Sequence, residues 1–412
     1  MKQYSQDAYA REMALLHVVL DMEKQGVRID PDIHNKRAHW QNKFNAGEKL
    51  LTKAVPATPG TKAWFTLALK QGLIDENLIQ YTEKGNPRYG REFVEKIVKD
   101  EEIKQVLVTR SKLQKALSTY INPYAESAKM YGGRFYPYFS QTRGTEDYGT
   151  RTGRFSSNFQ QLPRNPPEGA DLPNLRALVY PEPGHIVIKR DFNGQELRVT
   201  AHYAEGNILA AYQANPKLDV HTWVQEMILN ATGQSLNRVV TKTISFLKLY
   251  GGGALKLALM LDISESDARK FFSAYDAALP EFKQLMKDIE SISRRGQKIR
   301  TWGGRLYDVE PPQMVNGRKR EFYYKLGNVL IQGSSADMTK EAMIRYNRHP
   351  ERTGRIMLVV HDEIVCSCPE DKLDHEMRVL KESMDDIPGW DVPLRSEGKY
   401  GPSFGEMKSY DD

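Results

Sequence analysis

Four residues at four-residue intervals, Arg238, Lys242, Phe246 and Tyr250, carry the clearest chemical signal in this chain. On an α-helix each such step overshoots a full turn by about 40°, so the side chains form one drifting stripe roughly 18 Å long. A nucleoside triphosphate has about that extent, with two cations suited to its polyphosphate and two aromatic rings to its base. Ser235 is the predicted N-cap and Gly251–Gly253 the predicted stop. The cations then lie near the helix N-terminus, where the macrodipole also favours an anion. The same spacing equally fits an amphipathic helix with two solvated cations and two core aromatics. Val239, Val240, Thr241, Thr243 and Ile244 form helix only moderately well, so this helix must depend on packing.

Two carboxylates are placed for metal chemistry. His185–Phe192 reads as a strand that delivers Asp191 near its end, before Asn193-Gly194 breaks it and Gln195–Arg198 opens a helix. A strand-end aspartate beside a turn can hold a metal in an open cleft or merely cap the next helix. Downstream, Arg355–Cys366 reads as two apolar strands joined through His361-Asp362-Glu363. An acidic tip between apolar strands is costly to desolvate unless a cation is near, which makes it the second candidate metal ligand. Thr152-Gly-Arg154-Phe-Ser-Ser157 is followed by Asn158, Gln160 and Gln161, side chains suited to sugar, phosphate and base-edge contacts or to an ordinary polar loop. Asp219-Val-His221-Thr begins another helix, and Asn328 and Gln332 share one face of a helix over 320–348.

The remaining elements would support these groups. Residues 5–30 read as a helix ended by Gly26 and a short strand, and 33–55 and 92–128 as long polar helices. Arg110, Lys112 and Lys115 on the last form either a phosphate-gripping face or a solvated one. A basic turn spans Arg294–Arg305. At 412 residues the chain calls for two or three subdomains. Its 40% hydrophobic and 27% charged residues describe a globular protein, and a net charge of +6 leaves a polyanionic partner open. The N-terminus is too polar for a signal peptide, and the apolar run Met13–Leu20 is too short to span a bilayer. Cys366 and Cys368, two apart on one strand, suit neither a disulfide nor a zinc site and read as buried thiols in a reducing cytoplasm.

Taken in order, TGRFSS at 152–157, DFNGQELR at 191–198, DVHT at 219–222, the R-x3-K-x3-F-x3-YG helix at 238–251, IQGSSAD at 331–337, VHDEI at 360–364 and the ending EGKYGPSFGEMK resemble DNA polymerase family A, the bacterial polymerase I and phage polymerase family. The resemblance runs from about Leu20 to the C-terminus. It implies an α+β right-hand fold: residues 1–35 an N-terminal helix packing on the palm, 36–130 thumb, 131–215 first part of the palm, 216–320 fingers and 321–412 second part of the palm.

It also implies template-directed DNA synthesis by two-metal nucleotidyl transfer. Asp191 and Asp362 would bridge two Mg²⁺ ions, with the Phe192 carbonyl as a further ligand and Glu363 secondary, near the metals or the primer end. Arg238, Lys242 and His221 match triphosphate contacts, and Lys242 also the proposed general acid for pyrophosphate. Phe246 would stack on the incoming nucleotide and Tyr250 sit beside the templating base. Glu196 matches the steric gate that occupies the space of a ribose 2′-hydroxyl. Arg154, Asn158, Asn328, Gln332 and His361 match contacts to the minor groove and primer terminus. Implied partners are primer-template DNA and dNTPs, with a separate exonuclease, helicase or processivity factor possible. A monomer with no membrane association is expected, in the cytoplasm of a bacterial cell or phage-infected host, with no proofreading nuclease in this chain.

Three positions depart from the family pattern. TGRFSS runs directly into NFQQLP, shorter than usual, which bears on Asn158 and Gln161. Asn193-Gly194 replaces the commoner Ser-Gln, and Tyr324 stands where many relatives carry Arg. Two other functions compete. Single-subunit RNA polymerases share the fold and both aspartates, but their hairpin usually reads HDS and lacks the gate glutamate. An inactive DNA-binding relative would not need both aspartates and Lys242.

Overall fold

The computed structural model describes residues 5–81, 87–89, 91–142, 149–315 and 317–411. Its centre is a five-stranded antiparallel sheet of β1 (His185–Phe192), β2 (Arg355–Val360), β3 (Glu363–Pro369), β4 (Ser396–Ser403) and β5 (Glu406–Tyr410), in the order β2-β3-β1-β4-β5. The β2 and β3 sequences, RIMLVV and EIVCSCP, are almost wholly buried, as strands covered on both faces must be. Both cysteines are free and buried in β3, as expected.

Eight helices build the site and its surroundings: α1 (Gln6–Gln25), α2 (Ile33–Ala54), α3 (Glu101–Ala116), α4 (Gln195–Ala204), α5 (Val220–Thr232), α6 (Arg238–Leu249), α7 (Lys325–Arg348) and α8 (Leu373–Asp385). Helix α7 is the core's axle, packing against α1, α4, α8 and the sheet. It is buried on every face, which its sequence permits by alternating apolar with small residues. Gly333 is one of those small residues, since a Cβ there would lie 2.8 Å from Thr301 Cγ2.

A second apolar cluster, with Leu51, Trp64, Phe65, Ile97 and Leu107, sits between α2, α3 and the segments joining them. This separate core makes the 33–116 region a lobe of its own. The single long helix expected over 92–128 is instead broken. Asp100 starts α3 by accepting the Ile103 N–H at 2.9 Å, and a π turn over Leu117–Ile121 precedes the helix Asn122–Met130. Pro123 has no N–H to continue the α ladder, which accounts for the widened turn before it.

Among the described residues no helix is long and apolar enough to cross a membrane.

Candidate active site

Asp191 is the penultimate residue of β1, opposite Glu363 on β3 and Glu397 on β4 in the sheet register. Asp362 lies in the two-residue turn between β2 and β3, and its carbonyl accepts the Phe192 N–H at 3.3 Å. The register thus brings together two aspartates 171 positions apart in sequence. Asp191 opens toward a cleft but is backed by protein. That desolvation, with the charges of Asp362 and then Glu363, pushes its carboxyl well above the ordinary range, while Lys189 opposes the shift. Burial also raises Asp362, against the pull of hydrogen bonds, Arg154 and His361.

Glu363 is buried and engaged elsewhere. Its carboxylate pairs with Lys189 and lies 3.5 Å from Arg176. Both cations also stand over the Phe404 ring.

After β1, Gly194 takes φ 61°, a left-handed conformation that suits glycine, and α4 begins at once. This tight turn sets Glu196 in the first turn of α4. Its carboxylate is paired with Arg154 and accepts the Tyr250 hydroxyl at 2.7 Å. Burial first, then Glu196, pushes the Tyr250 phenol up, so it stays a neutral donor.

The stripe on α6 forms as expected, but its cap is Asn237 rather than Ser235. Asn237 Oδ1 accepts the Val240 N–H at 2.8 Å from an extended backbone, and burial of Leu236 pins the chain just before it. Arg238 Nε lies 2.8 Å from Asp219, which also caps α5 by accepting the His221 and Thr222 N–H groups at 3.1 and 3.4 Å. Farther along, Lys242 Nζ is 6.0 Å from the Phe246 ring centre, and Phe246 and Tyr250 stack with centres 5.9 Å apart. His221 stands 6.0 Å from Phe246. Burial, and then Lys242, lowers its pKa to about 4, so its imidazole is neutral near pH 7.

These groups line one cavity of about 770 Å³. Asp191, Phe192, Asp362, His361, Arg154 and Glu196 form one part of its wall, and His221, Arg238, Lys242, Phe246 and Tyr250 another. Four residues of the site implied by the family resemblance lie outside that lining. Asn158 is exposed on the turn after TGRFSS. Gln332 reaches the Tyr250 hydroxyl from α7. Asn328, one turn earlier, keeps a buried Oδ1 with no protein partner, and Glu363 sits behind the aspartates.

The lining also contains Lys217 and Glu397, which the sequence did not single out, and Asp219 and Asn193, read there only as a helix start and a departure from the family pattern. Asn193 donates its side-chain amide to Glu397, so the unusual Asn-Gly is tied to the neighbouring strand. Nothing in composition distinguishes Lys217 from other surface lysines.

The basic turn over Arg294–Arg305 is largely taken up in internal ion pairs. Arg305 is 2% exposed and ion-paired with Glu12 and, at 2.6 Å, with Asp337. Arg300 pairs with Asp7 and Arg294 with Glu290. Burial without such partners would be prohibitive for a guanidinium, so Arg305 serves the junction of α1 with α7.

No group of three or more His, Cys, Asp or Glu side chains among the described residues is arranged to hold a metal by itself. The two touching aspartates nevertheless fit Mg²⁺. That ion is commonly bound by one or two carboxylates, with water and substrate phosphates completing an octahedron. Burial raises the proton affinity of both carboxyls, and at Asp191 the neighbouring charges of Asp362 and Glu363 add to it.

Comparison with known proteins fits this geometry. The profile of DNA polymerase family A matches residues 65–406. DNA polymerase I of Chloroflexus aurantiacus is 27% identical over 417 residues, which cover 97% of this chain and 43% of that protein. The thermostable DNA polymerase I of Thermus aquaticus is 30% identical over 305 residues, 72% of this chain and 35% of the relative. The chain therefore spans less than half the length of these curated relatives. Among solved structures, the POL domain of Pol1 from M. smegmatis, in complex with DNA primer-template and dNTP, superposes with a TM-score of 0.79 at 21% identity. The match covers 96% of this chain and 70% of that one. The fold is the α+β right hand.

Proposed function

The chain belongs to DNA polymerase family A, and from that premise we propose that it extends a primer 3′ end with dNTPs on a template and releases pyrophosphate. The observation that carries this reading is the single cavity in which the aspartate pair faces the cation–aromatic stripe of α6. In this reading the sheet with α7 and α8 is the palm, the helices over 216–320 the fingers and the lobe built on α2 and α3 the thumb.

Asp191 and Asp362, with the Phe192 carbonyl, would hold two Mg²⁺ ions. When bound, these supply charge neutralisation for the attacking oxygen, the triphosphate and the departing pyrophosphate. Arg238 and Lys242 bind the phosphate oxygens, and Lys242 gives a proton to the leaving pyrophosphate. His221, neutral near pH 7, contributes a hydrogen bond rather than a third full charge. Phe246 stacks on the incoming nucleotide, and Tyr250 borders the templating base. Glu196 is held by Arg154 and Tyr250 and closes the space beside C2′ against ribonucleotides. Arg154, Asn158, Asn328, Gln332 and His361 meet the minor groove and primer end. The orphaned Asn328 Oδ1 supports this, because a buried polar atom left without a protein partner suits an external one.

Glu196 and Glu363 favour DNA over RNA synthesis, and the intact aspartates with Lys242 disfavour an inactive relative. Extension of a labelled primer on a template with Mg²⁺ and either dNTPs or rNTPs tests the proposal. Extension with dNTPs far above that with rNTPs is expected. Preference for rNTPs would favour the RNA polymerase reading, and no extension with either would refute catalysis.

A further inference from the structure

The Asp362 turn contains an unfavourable backbone conformation. His361, its first residue, has φ 59°, one of three non-glycine residues with positive φ among those described. Residues other than glycine adopt this region uncommonly, histidine more readily than most, and a two-residue hairpin ordinarily places glycine, asparagine or aspartate there. The turn also adjoins β2, an outer strand that pairs with no strand on its far side among the described residues. Left to itself, such a turn would relax and carry Asp362 with it.

The Gln160 side chain bonds to main-chain groups on that side. Gln160 Nε2 donates to the Val359 carbonyl at 3.0 Å, and Gln160 Oε1 accepts the His361 N–H at 2.9 Å. These are main-chain groups two residues apart on the free edge, and the amide meets them as the N–H and C=O of one residue on an adjacent strand would. A carboxylate has no donor for the carbonyl, and a hydrocarbon has neither function. Gln160 is itself anchored. Next to it Phe159 is fully buried against the rings of Tyr124 and Phe135, and the Tyr120 hydroxyl donates to the Gln161 carbonyl at 2.7 Å.

We propose that Gln160 is a positioning residue that holds the His361–Asp362 turn in its strained form and so aims the Asp362 carboxylate toward Asp191. The inference rests on reading Asp362 as a metal-binding carboxylate. Through its anchors, Gln160 also joins the helical region of Tyr120 and Tyr124 to the catalytic turn.

The test uses the whole chain and reads binding rather than turnover. Mn²⁺ affinity is measured by paramagnetic resonance of the free ion, counting the site lost in Asp362→Ala, and hydrogen exchange is followed at the His361 amide. Gln160→Leu should weaken Mn²⁺ about tenfold, the usual scale for losing a group that orients a ligand, and speed His361 exchange. Gln160→Glu, which keeps the acceptor and loses the donor, should fall between. Gln160→Asn keeps the amide but is a methylene too short to span both groups, and replaces the leucine variant if that fails to fold. A purely structural role would lower the melting temperature without changing Mn²⁺ affinity, and that result, or parental affinity in Gln160→Leu, overturns the proposal. A parent that binds Mn²⁺ at Asp362 but extends no primer would sink the polymerase reading and leave the clamp standing. A parent with no such Mn²⁺ site overturns both.

Discussion

The Tyr250 hydroxyl donates to Glu196 Oε2 across 2.7 Å, tying the end of α6 to the first turn of α4. With Arg154 on its other oxygen, Glu196 is fixed at the junction of the carboxylate pair and the nucleotide stripe. If Glu196 closes the space beside C2′, Glu196→Ala removes bulk there and touches no proposed metal ligand. The ratio of kcat/KM for rNTP to that for dNTP should rise by about tenfold or more, comparable to opening a pocket by several heavy atoms. An unchanged ratio would discard the gate.

Phe246 stacks on Tyr250 and borders the cavity one turn beyond Lys242. With phosphates on Lys242, its ring lies near the sugar and offers no hydrogen-bonding group. The parent should therefore discriminate against ddNTPs, whose missing 3′-hydroxyl leaves a polar contact unmade in a water-poor site. Phe246→Tyr should weaken that discrimination substantially while dNTP use changes little. Chain-termination ratios for the two proteins decide it, and equal ratios would mean that Phe246 only packs.

The aspartate pair gives a dependence on pH and metal with a definite sign. Asp191 is raised in the folded state, so above the ordinary aspartate pKa of about 4 the folded chain binds a proton that the unfolded chain has released. Its stabilising contribution is present at low pH and is lost as pH rises through the folded value. In EDTA, the melting temperature of the parent relative to Asp191→Asn should fall as pH increases from about 5 to 9. Mg²⁺ should stabilise the parent most at the upper end, where the carboxylates are ionised. A parent-minus-variant difference that is flat with pH would contradict the raised pKa.

Lys112, Lys115 and Arg164 line a groove of about 390 Å³ between α3 and the segment over 161–175. If these cations meet DNA phosphates, primer-template affinity falls steeply with salt and hardly varies with sequence. Lys115→Ala should reduce the slope of log K against log salt by about one and weaken unrelated sequences equally. Arg305→Lys should leave the slope alone, since Arg305 is held by Glu12 and Asp337. Parental slope in Lys115→Ala would remove that residue from the interface.

Local patterns made much of this legible in the sequence. β1, β2 and β3 are runs of apolar and β-branched residues bounded by Asn193-Gly194 or an acidic tip, and the four-residue spacing on α6 survives as a real stripe. What stayed hidden depends on distant partners. Arg305 reads as a surface cation until Glu12, 293 residues away, is folded against it. Gln160 looks like its neighbours Asn158 and Gln161, and only its bonds to Val359 and His361, about 200 positions downstream, separate them. The π turn before Asn122–Met130 did have a local cause in Pro123, which the helical periodicity around it masked. Asn237 and Ser235 are equally competent caps, and burial of Leu236 decides between them.

In the proposed reaction Asp191 and Asp362 together carry nucleotidyl transfer. Single-turnover extension of a bound primer-template, at saturating dNTP and Mg²⁺, tests it most directly in the parent, Asp191→Ala and Asp362→Ala. Each variant should bind primer-template within a few-fold of the parent yet extend it at below about one per cent of the parental rate, because charge neutralisation dominates phosphoryl transfer. Extension by either variant above that level, with binding intact, would contradict the account.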